Sequence, residues 1–182
     1  MKSYLNFKLP IILCLIVFPL TASYSQETLQ MPELISIGQS APITELKDLE
    51  RQAISFPQEG YYNLIFYWSL FCHSCLEEIP ALNNKIKELN SDRLKTFFIS
   101  LDTDRMHTGL ENFANRRNLE FPVLMEEIKE QAFLSAEKWG VMQTPTAFIV
   151  SPENEVIFVK QGPLDLQSYF QNLKYLLENE AN

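Results

Sequence analysis

An apolar and aromatic run, YYNLIFYWSL at residues 61–70, leads almost directly into Cys72 and Cys75, and apolar residues at helical spacing follow at once. A near-continuous run of that length fits a strand covered on both faces of a sheet, where neither face needs polar side chains. Downstream, Leu76, Ile79, Leu82, Ile86 and Leu89 recur at intervals of three and four. That is the inward stripe of an amphipathic helix reaching about Asn90. A buried strand that turns into a helix through a short loop commits this region to an α/β fold and puts Cys72 at the helix start.

The rest of the chain repeats the alternation. LKTFFISLD reads as a second buried strand, MHTGLENFANRRN as a helix with Leu110, Phe113 and Ala114 inward, and FPVLME as a short extended piece. EQAFLSAEKWG reads as a helix stopped by Gly140, and TAFIVS and EVIFVKQG as an antiparallel pair across the turn SPEN. A last helix is expected from Asp165, its N-cap, to about Glu178. Upstream, IGQSAPITELKDLERQAISF reads as a loop and a short hairpin whose apolar contacts are Leu46 and Ile54 to Phe56. The expected architecture is a mixed central sheet with helices on both faces and an N-terminal hairpin extension.

Residues 1–25 are different material. Lys2 and Lys8 precede the apolar run Ile11–Leu20, and Thr21, Ala22, Ser23 and Ser25 follow, the pattern of a secretory signal. Even counted from Leu9 to Ala22, its apolar core is shorter than the roughly 18 to 20 residues that span a bilayer. Cleavage is expected, leaving residues 26–182 as one domain in the bacterial periplasm, with a retained membrane anchor as the alternative. Cys14 would leave with the signal. The formal charge of −8 becomes two units more negative without Lys2 and Lys8, which argues against a nucleic-acid partner.

Export leaves Cys72 and Cys75 in an oxidising compartment, where a thiol pair is either a structural disulfide or a redox centre. A disulfide closing so short a loop removes little entropy from the unfolded chain and braces a fold poorly. At a helix start, free N–H groups and the positive helix end favour a thiolate, the nucleophilic form in disulfide exchange. Cys72 is therefore the candidate attacking thiol, and Cys75, one turn in and more buried, the resolving one. Zinc would need two further ligands, and the chain has only His73 and His107 to offer beside the pair, so no metal is expected. Covalent haem attachment needs His after the second cysteine, where Leu76 stands. A peroxidatic cysteine would follow Pro and Thr at the positions of Ile65 and Ser69. A thiol peroxidase and a redox-inert binding module with a labile disulfide remain the alternatives.

The sequence resembles the thioredoxin-fold, extracytoplasmic thiol-disulfide oxidoreductases of the TlpA/ResA type over about residues 35–175. The likeness rests on IGQSAPITELKD, on FYWSLFCHSC in place of F-W-A-x-W-C-x-x-C, on Glu78 and Pro80, on LEFPVLME and on WGVMQTPTAFIVSPENEV. The resemblance implies a thioredoxin-like fold in which Cys72 attacks and Cys75 resolves. It implies that Pro145 is a cis-proline facing them, exposing the backbone of Thr144 to a substrate chain; a trans proline opening a strand is the plain alternative. Trp68 would pack beneath the site or simply fill the core, and Pro80 would kink the active-site helix. Phe71 and Ser74 replace the family's tryptophan and frequent proline, so both bear on redox tuning. His73, when protonated, could stabilise the thiolate. Thioredoxin's buried aspartate falls at Phe66, leaving Glu77 and Glu78 as the nearest acids. The resemblance implies protein disulfide or dithiol substrates and a membrane electron donor; dithiol exchange needs no cofactor, and a monomer is expected. It favours the reducing direction, with apo-cytochrome c or another envelope protein as acceptor.

Overall fold

The computed structural model describes residues 32–129 and 132–179. The expected signal at 1–25, and with it the question of cleavage or anchorage, lies outside them.

The apolar run forms β3 (Tyr62–Trp68), buried at all seven positions. It pairs in parallel with β4 (Leu94–Ser100), which pairs in parallel with β5 (Val123–Met125). On its other side β3 is antiparallel to β8 (Thr146–Val150), and β8 to β9 (Val156–Gln161). The expected hairpin, β1 (Thr44–Asp48) and β2 (Ala53–Phe56), joins antiparallel to β5. The sheet order is β2-β1-β5-β4-β3-β8-β9.

Alternation along β3 builds two cores. Leu64, Phe66 and Trp68 join Ile79 and Leu82 of α1 (His73–Leu89), Leu110 and Phe113 of α2 (His107–Arg117), and Leu173 and Leu177 of α4 (Leu166–Asn179). Ile65 and Tyr67 join Phe56, Phe97, Phe148 and Trp139 of α3 (Leu134–Trp139). Helices thus cover both faces of a mixed sheet, as expected. Asp165 caps α4, its carboxylate accepting from the Ser168 hydroxyl at 2.8 Å and the Gln167 amide at 3.2 Å. Helix α1 continues through Pro80.

One segment departs from the expected pattern. The helix read over EQAFLSAEKWG starts only at Leu134, because a small hairpin, β6 (Ile128–Lys129) with β7 (Ala132–Phe133), precedes it. The cause lies upstream: the buried Glu126 carboxylate accepts from the amides of Ser135 and Ala136 and from the Ser135 hydroxyl. These bonds satisfy donors that a helix start leaves open and fix where α3 begins. At the other end, Gly140 has φ +66°, and a Cβ there would overlap the Glu33 carbonyl; only glycine allows that approach. Ile35 is tied to the same corner through its amide, which donates to Trp139 O at 3.3 Å.

Candidate active site

Between the end of β3 and the start of α1 only Ser69, Leu70, Phe71 and Cys72 make the turn. Cys72 is the helix N-cap, with extended backbone at φ −93° and ψ 102°, and its Sγ accepts from the Cys75 amide at 3.3 Å. No acidic residue sits in the first turn of α1 itself. The two sulfurs are bonded, with Cα atoms 5.2 Å apart. Cys75 is fully buried and Cys72 is partly exposed. Of the two, Cys72 is the more accessible residue, while Cys75 is enclosed in the core.

The other expected residues surround this pair unevenly. Ser74 Oγ is 3.6 Å from Cys72 Sγ. His73 is largely exposed, and its Nε2 lies 3.3 Å from the Glu77 carboxylate one turn along its own helix. Phe71 is 79% exposed beside the sulfurs. Trp68 is fully buried in the same cluster as Cys75, its ring 5.1 Å from that of Phe113. The Thr144–Pro145 peptide is cis. Because Tyr67 is in register with Thr146, that peptide lies at the end of the sheet where β3 turns towards Cys72.

Glu78 sits on α1 one turn beyond Cys75. It is 9% exposed; Oε1 accepts from the Leu164 amide at 3.1 Å, and Oε2 has no partner among the described residues. Burial raises its pKa above the ordinary carboxylate value, the Leu164 bond opposing and Glu77 adding. A folded-state pKa above the unfolded one gives stability that is present at low pH and lost as pH rises through that interval. Glu78→Gln is therefore expected to raise the melting temperature at pH 7, with the gain shrinking towards pH 4. Thermal unfolding of both proteins across that range checks it; a gain that does not depend on pH would contradict the burial argument.

Two residues of this region were not singled out by the sequence, although Glu126 closes the stretch LEFPVLME. Asp102, beyond the end of β4, is 4% exposed and bonds to Ser69 and Leu70 of the turn. Glu126 holds α3, which leads into the Thr144–Pro145 loop. The available signal was positional: both are acids within two residues of the end of a buried strand, at the sheet end where β3 turns. Among the described residues no group of three or more His, Cys, Asp or Glu could hold a metal ion.

Residues 37–159 match the model of the AhpC/TSA family. The chain belongs to that family. Among curated relatives, the thiol-disulfide oxidoreductase ResA of Bacillus cereus is 27% identical over 177 residues, covering 95% of this chain and 96% of its own. The crystal structure of StoA from Bacillus subtilis superposes with a TM-score of 0.59 at 21% identity, covering 71% of this chain and 95% of StoA. The thioredoxin domain of a thiol-disulfide oxidoreductase from Bacteroides vulgatus gives 0.66 at 16% identity, covering 79% and 99%. These structures share the thioredoxin-like α/β fold.

Proposed function

We propose that this chain is an exported thiol-disulfide oxidoreductase that exchanges electrons between its Cys72/Cys75 pair and protein substrates, working in the reducing direction. The observation that carries the reading is the asymmetry of the pair: a partly exposed Cys72 at a helix N-cap and a buried Cys75 bonded to it. The ResA-type relatives support the same chemistry.

In the reduced protein, the Cys72 thiolate attacks one sulfur of a substrate disulfide. A Cys72–substrate bond forms, the substrate S–S bond breaks, and the departing thiolate takes up a proton. Cys75 then gives up its proton and attacks Cys72 Sγ, forming the intramolecular disulfide and expelling the second substrate thiolate. Two electrons pass to the substrate, and an external dithiol, a membrane donor in this proposal, returns two to the enzyme. No diffusible cofactor takes part. The cis Thr144–Pro145 peptide offers backbone to a substrate chain, Phe71 adds exposed apolar surface, and Ser74, His73, Trp68 and Glu78 tune or support the sulfurs. In this proposal the enzyme acts outside the cytoplasm as a monomer.

Cys75→Ala removes the resolving step, so mixed disulfides with substrate proteins are expected to accumulate through Cys72 in cell extracts, visible on non-reducing gels. Absence of such adducts counts against the reading. A reduction potential near about −120 mV would reverse the direction and make the protein an oxidant. A thiol peroxidase is the second reading that family membership brings. Against it, Ser69, at the place of the peroxidatic threonine, donates its hydroxyl to Asp102 and accepts from Phe71 N, so those bonds commit it away from the sulfur.

A further inference from the structure

We infer that Asp102 is the positioning residue of the active-site turn, holding Cys72 at the mouth of α1 in the geometry that ionises it. The turn has four residues, and each is tied to this carboxylate directly or through one intermediary. Oδ1 accepts from the Ser69 hydroxyl at 2.9 Å, and Oδ2 from the Leu70 amide at 2.8 Å. Ser69 then passes the restraint on: its Oγ accepts from Phe71 N at 3.1 Å and its carbonyl from Cys72 N at 3.0 Å. The carboxylate is itself fixed to β4, since the Ser100 hydroxyl donates to Oδ2 at 2.7 Å and the Asp102 amide donates back to Ser100 Oγ at 3.1 Å.

Bonds to a buried carboxylate are shorter and stronger than neutral ones, and losing the acceptor strands the donors it served. Without Asp102, the Ser69 hydroxyl and the Leu70 amide lose their partner, and the turn is no longer set by the sheet. Cys72 Sγ reaches the Cys75 amide only while Cys72 keeps its extended N-cap backbone, so a loosened turn weakens the hydrogen bond and helix-end field on which a thiolate depends. A second effect has the opposite sign: removing a negative charge near the sulfur would by itself favour the thiolate. Position and charge therefore predict opposite shifts, which makes the inference decidable. The other charged groups near Cys72, namely His73, Glu77 and Glu78 of α1, are common to all the variants below.

The inference rests on Cys72 being the attacking thiol, and its test reads that thiol rather than turnover, so a chain that reduces no protein can still pass or fail it. The reduced protein is alkylated with iodoacetamide from pH 4 to pH 10, and modification at Cys72 is followed by mass spectrometry. In Asp102→Ala the Cys72 profile is expected to move to higher pH, with alkylation at pH 7 slowed about fivefold to tenfold. Asp102→Asn, which keeps an acceptor for Leu70 and a polar partner for Ser69, is expected to stay at the wild-type position or move slightly lower. Ser69→Ala cuts the relay to Phe71 but spares the Leu70 bond, and is expected to move in the direction of the Ala variant by less. An Ala profile that is unchanged or moves to lower pH overturns the inference, as does an Asn profile that rises as far as the Ala one. Should Asp102→Ala not fold, an unshifted Ser69→Ala profile overturns it equally.

Discussion

Cys72→Ser is expected to abolish dithiothreitol-driven insulin reduction, with a loss of at least about a thousandfold, the scale seen when a covalent nucleophile is removed. A serine hydroxyl does not ionise near neutral pH, so the helix mouth that favours a thiolate has nothing to stabilise. The buried Cys75 cannot substitute, because it is fully enclosed while Cys72 is partly exposed. The fold should survive: a disulfide across so short a loop contributes about 2 kcal/mol or less in the chain-entropy account. Turnover assays run beside thermal unfolding separate the two effects. A Cys72 and Cys75 double variant that reduces insulin as wild type does would refute the oxidoreductase reading and favour a binding module.

Trp139→Ala is expected to cost about 3–5 kcal/mol, the usual penalty for emptying a large aromatic site in a packed core. In a domain of this size that is a fall of about 6–20 °C in melting temperature. The indole is fully buried between Phe148 at 4.9 Å, Phe56 at 6.2 Å and Tyr67 at 6.4 Å. Its Nε1 also donates to Thr44 Oγ1 at 3.4 Å, so one side chain joins α3 to the N-terminal hairpin and to β3. Trp139→Phe keeps part of the stacking and should lose less. A drop under about 1 kcal/mol for the Ala variant would mean that this face is held by something other than the aromatic cluster.

Local patterns carried the strands and helices far. The run into Cys72 read as a buried strand, the stripe from Leu76 to Leu89 as a helix, and their junction put Cys72 at the helix start with Cys75 one turn in and more buried. The hairpin SPEN and the Asp165 cap were legible because turn and cap chemistry acts within a few residues. What stayed hidden depends on partners far apart in the chain. Asp102 meets Ser69 and Leu70 across more than thirty positions, and Glu126 caps a helix that begins eight residues later. An acid after a strand looks like any surface acid until the sheet brings its partners together. Propensity favoured a longer helix over EQAFLSAEKWG, and a carboxylate outside the segment set the boundary instead. The resemblance, rather than any spacing, suggested the cis peptide at Pro145; the second cis peptide, Phe56–Pro57, had no such pointer.

The N-terminal hairpin has a consequence for anyone wishing to trim the protein to a smaller scaffold. Its turn reaches the segment that follows β4: Arg51 pairs with Asp104 at 2.6 Å, and His107 Nε2 meets Leu49 O at 2.8 Å. That segment carries Asp102 at its base, so the hairpin acts as a buttress two steps removed from the sulfurs. Excising it would free the far end of this support, and a shortened version would need new anchors for Asp104 and His107 before its chemistry could be compared with the parent's.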